Sequence, residues 1–337
     1  MSNQQPHVTV ITPVYNGEAY LAECIESVIA QRFTSWDYVI VNNCSTDKSL
    51  EIAMRYAESD PRIRIVNNAK HVDVVESHNL AFAELSPDSK YCKILSADDW
   101  IYPECFERLV AVAERHPSVG IVGCYGVTNK GIRVYDVPLG SEMFSGESIC
   151  RMHLLGSQIL SAYTSVLYRA DLIRTWRPFF AVSVPSADIH WSFQVLQHAD
   201  FGFVHQILYF ERLHERSVSS TLETFNSFLV DRLDYVVTYG SIFLSSEERV
   251  CRLEELLTSY YGYLADRTIH FAGREFWKYH RNRLVSLGQP ISGARLAGAV
   301  SLRVLEWFTN PHQTFKKLLG RLHGSGVALT LKARNNA

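Results

Sequence analysis

Residues 7–17 read H-V-T-V-I-T-P-V-Y-N-G, and the fold is decided from there. His7–Val14 has the β-branched run of a strand, and Tyr15-Asn16-Gly17 ends it with turn residues. A helix is predicted next, with Leu21, Cys24, Ile25, Val28 and Ile29 on one face. The same unit then repeats. Trp36–Val41 is a second strand, Asn42-Asn43-Cys44-Ser45-Thr46-Asp47 a polar turn, and residues 48–57 a helix that buries Ile52 and Tyr56. Arg62–Val66 is a third strand, followed by a helix around Val75–Glu84 that carries His78 and Asn79. Tyr91–Leu95 is a fourth, broken by Ser96-Ala97-Asp98-Asp99. Pro103 suits the first turn of the helix after it, whose inward residues are Phe106, Leu109, Val110 and Ala113. Val119–Cys124 is a fifth strand.

Strand–helix alternation of this kind predicts an α/β fold: a mainly parallel central sheet with helices on both faces. Ligands of such sheets bind beyond the carboxyl ends of the strands. Tyr15-Asn16, Asn42-Asn43 and Asp98-Asp99 all fall at those ends, so three polar exits face one crevice. Further along, Tyr163–Arg169 and Phe201–Phe210 read as strands, with a helix over Asp188–Gln197 between them. From about residue 225 the chain is all-helical.

Composition narrows the function. The chain has 337 residues, 47% hydrophobic and 20% charged, enough for a large domain plus an appended segment. A net charge of −2 argues against a nucleic-acid partner, which calls for concentrated basic residues. The seven cysteines form no C-x-x-C pair and their number is odd, so no zinc site or disulfide framework is expected. No apolar leader opens the sequence and no run of about 18 apolar residues occurs, so a cytoplasmic protein is expected.

There is no G-x-x-x-x-G-K-[ST] loop and no G-x-G-x-x-G turn. Phosphates must be met another way, and a carboxylate-held divalent cation is the natural alternative. Asp98 and Asp99 suit that task, although neighbours on a strand point to opposite faces, so one of the two is expected to face a ligand. Capping of the following turn is the competing role for the pair.

Three segments carry a resemblance: V-T-V-I-T-P-V-Y-N-G-E-A-Y-L-A-E-C-I-E-S-V, D-Y-V-I-V-N-N-C-S-T-D-K-S and K-I-L-S-A-D-D-W-I-Y-P. In order and spacing they resemble the family 2 glycosyltransferases, mostly inverting enzymes of GT-A fold, over roughly residues 7–220. P-S-A-D-I-H-W-S-F resembles that family's catalytic-aspartate motif, and L-Y-F-E-R-L-H-E-R-S-V-S-S the strand whose histidine closes the diphosphate end. The resemblance implies a catalytic domain over residues 1–222, with a nucleotide-sugar part to about 125 and an acceptor part beyond, then a helical region over 223–337. It places Pro13, Val14, Tyr15, Asn43, Asn79, Ser96 and Ala97 around the donor nucleotide. Asp98 and His214 would hold Mn2+ or Mg2+, and Asp188 would be the general base. Asp99, and His190 and Trp191 beside the acceptor, are further candidates.

The implied reaction moves a sugar from a nucleotide diphosphate-sugar, the UDP-sugars being commonest in the family, to a glycan or lipid-linked acceptor. The family's usual D-D-G-S-T-D is N-N-C-S-T-D here, and Ser96 replaces the first acid of D-x-D. Asparagine and serine can still bond a base or ribose. These departures leave a non-catalytic binding module open as an alternative. A sugar-phosphate nucleotidyltransferase would call for a basic, glycine-rich first loop, and T-P-V-Y-N-G-E has no basic residue.

In the tail, Gly293–Phe308 and Gln313–Leu322 read as helices. Phe315, Leu318, Leu319 and Leu322 share a face flanked by Lys316, Lys317 and Arg321. That stripe suits peripheral contact with a membrane, packing on the catalytic domain, or a homodimer.

Overall fold

The computed structural model describes residues 7–161, 163–175, 179–180, 186–214 and 225–309. In chain order the strands are β1 (Val8–Val14), β2 (Trp36–Asn42), β3 (Ile63–Asn67), β4 (Tyr91–Ile94) and β5 (Trp100–Ile101). Then follow β6 (Val119–Thr128), β7 (Gly131–Arg133), β8 (Met143–Phe144), β9 (Val166–Arg169) and β10 (Asp200–Glu211). They make one sheet in the order β3-β2-β1-β4-β9-β6-β10-β5, with β7 added to β6 and β8 to β10.

β3, β2, β1 and β4 are mutually parallel, as are β6 and β10. β9 runs antiparallel to both of its neighbours and splices the two parallel groups together. The sequence shows this segment as a strand over Tyr163–Arg169, but its first three residues form a 3-10 turn. Lys93 holds the turn in place: its Nζ, fully buried, donates to the carbonyls of Thr164 and Val166.

Among the helices α1 (Leu21–Ile29), α2 (Ser49–Ser59), α3 (Val74–Ala83) and α4 (Cys105–Arg115) follow the strands as the periodicity predicts. α5 (Gly146–Leu154), α6 (Ala170–Thr175) and α7 (Ala187–Val195) come later. Leu21, Cys24, Ile25 and Val28 are buried as expected, whereas Ile29, the last residue of α1, is 37% exposed. In α2 the buried positions are Ser49 and Ala53; Ile52 and Tyr56 pack only their edges on the core. β1 and β2 are buried almost continuously, as strands covered on both faces must be. Their polar residues are satisfied inside: Tyr38 donates to Thr12 Oγ1 at 2.8 Å, and Thr12 to the Leu95 carbonyl at 2.8 Å.

The chain forms two compact units, one of residues 1–224 with 238–249, the other of 225–237 with 250–337. Every described element from residue 225 on is a helix: α8 (Ser227–Phe243), α9 (Ser246–Ile269), α10 (Arg274–Ser286) and α11 (Gly293–Thr309). Among the described residues, no helix is long and apolar enough to cross a membrane. The expected helix over Gln313–Leu322, with its apolar stripe, lies outside the described residues.

Candidate active site

Parallel pairing brings the exits of β1 and β2 level, with Val14 opposite Asn42 and the Asn43 N–H donating to the Val14 carbonyl at 2.8 Å. The two loops that leave them are stitched by side-chain-to-backbone bonds in both directions. Thr46 N–H donates to Asn16 Oδ1 at 2.8 Å, Gly17 N–H to Ser49 Oγ at 2.8 Å, Glu18 N–H to Asp47 Oδ2 at 2.9 Å and Lys48 N–H to Glu18 Oε2 at 3.0 Å. Asn16 and Cys44 take left-handed backbone conformations (φ 52° and 60°), and the bond to Thr46 holds Asn16 in place.

The two asparagines organise the neighbouring exits. Asn42 donates to Asn67 Oδ1 at 2.9 Å and accepts from Ser45 N–H at 3.1 Å. Asn43 donates to the Val72 carbonyl (2.9 Å) and accepts from Val72 N–H (3.1 Å) and Asn68 Nδ2 (3.0 Å). Its side chain is 4% exposed, so it builds the loop after β3 rather than standing open to a donor. That loop brings in His71, which the sequence reading missed. Its Nδ1 lies 3.2 Å from the Asn43 carbonyl and its ring 4.3 Å from that of Tyr15. Tyr15 is half exposed, while Val14 is buried and Pro13 half-buried. The signal was present: N-N-A-K-H (67–71) is a polar strand exit like the other three.

The exit of β4 meets that of β10. Asp98 Oδ2 accepts from His214 Nε2 at 2.9 Å, both side chains part-exposed. Asp99 turns the other way: it is buried and its Oδ1 accepts the Arg212 N–H at 2.9 Å. Burial, with the charge of Asp98 beside it, pushes the Asp99 carboxyl up to about 7. Arg212 also donates from Nε to the Asp98 carbonyl at 3.1 Å, pairs with Glu23 and lies 4.5 Å over the Tyr20 ring. Asn129 fixes the next residue by exchanging two bonds with the Leu213 backbone, at 2.9 and 3.0 Å. Ser96 Oγ lies 3.0 Å from Thr164 Oγ1, and Ala97 is half-buried beside it.

Asp188 stands in the first turn of α7, half-buried, its Oδ1 accepting the Ile189 N–H at 2.9 Å. Tyr163, a second residue the sequence left unmarked, lies in the 3-10 turn before β9 with its ring 4.8 Å from that of His78. Burial pushes its phenol above the ordinary value; a bond with Ser96 works against that, while the charges of Asp188, Asp98 and Asp99 work with it. Nothing local in L-S-A-Y-T-S announces such a position.

Three further candidates are held by partners inside the fold. Trp191 is 1% exposed with its ring 4.0 Å from Phe179, so it is core and offers no face to a sugar. His190 is likewise buried, its Nδ1 3.1 Å from the Tyr239 hydroxyl. Asn79 binds the backbone of Phe180 from both ends of its amide, at 2.8 and 3.1 Å. In each case the neighbour is remote in sequence, which local patterns do not record.

Among the described residues no group of three or more His, Cys, Asp or Glu forms a closed metal site. The donors that converge are one carboxylate and one imidazole, Asp98 and His214. Such a set leaves coordination positions for substrate phosphates, and Mg2+ and Mn2+ commonly bind in that way. The residues therefore fit a divalent cation completed by its substrate.

A family model described as Glycosyl transferase family 2 matches residues 9–174. A protein named putative glycosyltransferase EpsE, of Bacillus subtilis (strain 168), is 31% identical over 193 residues, 53% of this chain and 68% of EpsE. The uncharacterized glycosyltransferase YibD of Escherichia coli (strain K12) is 28% identical over 228 residues, 65% of either chain. The match therefore spans about two thirds of these relatives' lengths. Among solved structures, S. aureus TarS 1–349 in complex with UDP-GlcNAc superposes with a TM-score of 0.63 at 19% identity, over 86% of this chain and 82% of that one. The mannosyltransferase PcManGT from Pyrobaculum calidifontis, in complex with GDP-Man and Mn2+, gives 0.55 at 15% identity, over 96% and 87%. Those two show a shared GT-A-like fold, and with the sequence matches they make this chain a member of glycosyl transferase family 2.

Proposed function

We propose that the chain transfers a sugar from a nucleotide diphosphate-sugar, a UDP-sugar in first place, to a hydroxyl of a glycan or lipid-linked saccharide, with inversion at the anomeric carbon. The observation that carries this reading is the meeting of Asp98 and His214, 2.9 Å apart, at the β4 exit. TarS is a neighbour in complex with UDP-GlcNAc, and PcManGT one with GDP-Man and Mn2+, which supports a nucleotide-sugar donor and a divalent cation.

The donor nucleotide lies along the exits of β1 and β2, against Pro13, Tyr15 and the His71 ring that packs on Tyr15. Asp98 and His214 would hold Mn2+ or Mg2+. When bound, the ion neutralises the charge that grows on the departing nucleoside diphosphate. Asp188 takes the proton of the acceptor hydroxyl. The acceptor oxygen bonds to the anomeric carbon as the bond to the diphosphate oxygen breaks, and that electron pair leaves with the nucleoside diphosphate. Tyr163, kept neutral, donates a hydrogen bond into the same space.

The test is release of nucleoside diphosphate from a panel of UDP- and GDP-sugars with Mn2+ or Mg2+. One donor should be turned over, and chelator or Asp98→Ala should abolish its release. Asp188→Asn should lower turnover by roughly 10²–10⁴-fold and leave UDP or GDP binding within about twofold. Full turnover by that variant would remove Asp188 from the base role. Donor binding with no turnover by the native chain, given acceptor mixtures, would favour the binding module.

A further inference from the structure

We infer that Asn79 is a positioning residue for the catalytic aspartate and makes no contact with the donor; the inference rests on the base role proposed for Asp188. Asn79 lies on α3. Its Oδ1 accepts the Phe180 N–H at 2.8 Å and its Nδ2 donates to the Phe180 carbonyl at 3.1 Å. The amide therefore closes on one residue's backbone as a neighbouring strand would, across 101 residues of sequence.

Phe179 and Phe180, 3% and 5% exposed, form a wedge between α3 and α7. The Phe179 ring is 3.8 Å from that of Phe82, on α3, and 4.0 Å from that of Trp191, on α7. Tyr168 of β9 meets it edge-on at 5.9 Å, and Phe180 lies 5.8 Å from the His78 ring. Trp191 is one turn beyond Asp188, so the ring that Phe179 contacts and the carboxylate share a helix face. Asn79 thus fixes the backbone of the wedge, the wedge fixes Trp191, and Trp191 fixes the azimuth and height of Asp188. A general base must sit within hydrogen-bond reach of the proton it takes, so a small shift of α7 lowers turnover without touching donor affinity.

The experiment compares Asn79→Ala and Phe179→Leu with the native chain, using the nucleotide-sugar that the panel selects and its nucleoside diphosphate, UDP or GDP. Both variants should lower kcat about 10- to 100-fold, leave the nucleoside diphosphate Kd within twofold, and speed amide hydrogen exchange in 187–195 but not in 8–14 or 36–42. Combined with Asp188→Asn, Asn79→Ala should lower the residual rate by less than threefold, because both changes act on one group. A Kd weakened tenfold or more in Asn79→Ala would make it a donor ligand and overturn the inference. So would unchanged exchange in 187–195. Full activity of Asp188→Asn would instead refute the base role, with the exchange result still deciding what Asn79 positions. Phe179→Leu keeps an apolar side chain in place, so a folding failure of Asn79→Ala leaves the inference testable.

Discussion

At residue 43 the family's acid is an amide, and the surroundings explain why. The Asn43 side chain donates to the Val72 carbonyl and accepts from two N–H groups, which a carboxylate cannot do at once. Asn43→Asp should set two oxygens against each other in a buried place and cost about 1–3 kcal/mol, read from urea denaturation. Stability equal to that of the native chain would show that the loop carrying His71 does not depend on this amide. Asp98 and His214 were singled out in the sequence through the family resemblance, and the fold brings the pair to 2.9 Å. The roles of Asn79, His190 and Trp191 were not, because each depends on a partner that only the fold supplies. Residue type tells what a side chain can bind; the direction in which it points is a tertiary fact.

Among elements, the first four strands and their helices could be read from the sequence pattern, since β1, β2 and β4 are apolar along nearly their whole buried length and all four strands end in a polar cluster. Period carries no direction, so the antiparallel course of β9 was hidden, and β5, two residues long, has no period at all. β9 instead depends on a specific device, the buried Lys93 that donates to the Thr164 and Val166 carbonyls. Lys93→Met would leave those acceptors without that donor. It should destabilise the fold by about 1–3 kcal/mol and, by freeing the turn that carries Tyr163, lower turnover at least tenfold. Near-native turnover in this variant, at a temperature where it is folded, would mean that Tyr163 holds its place without the lysine.

For the molecule as a whole, the response of the helical unit to acid rests on one buried histidine. In the helical unit His280 is fully buried against Tyr260, Phe276 and Tyr279. Burial pushes its imidazole down to about 4 from an ordinary 6.5. Between those values the unfolded chain binds a proton that the folded unit refuses. The stability is therefore complete above about pH 6.5 and is lost as pH falls toward 4, on the order of 3 kcal/mol at full effect. Urea midpoints followed by helix signal should drop between pH 7.5 and 4.5, and His280→Gln should flatten that slope whatever its stability at pH 7.5. An unchanged slope would place the acid sensitivity in other groups.

The stitched loops after β1 and β2 bear on how such enzymes can be re-engineered. Asn16, Gly17 and Glu18 find their partners in Thr46, Ser49, Asp47 and Lys48, and the exchange runs both ways. A graft that imports one loop from a relative inherits half of a lock. The two segments, 15–18 and 43–49, would have to be transplanted together as a single cassette.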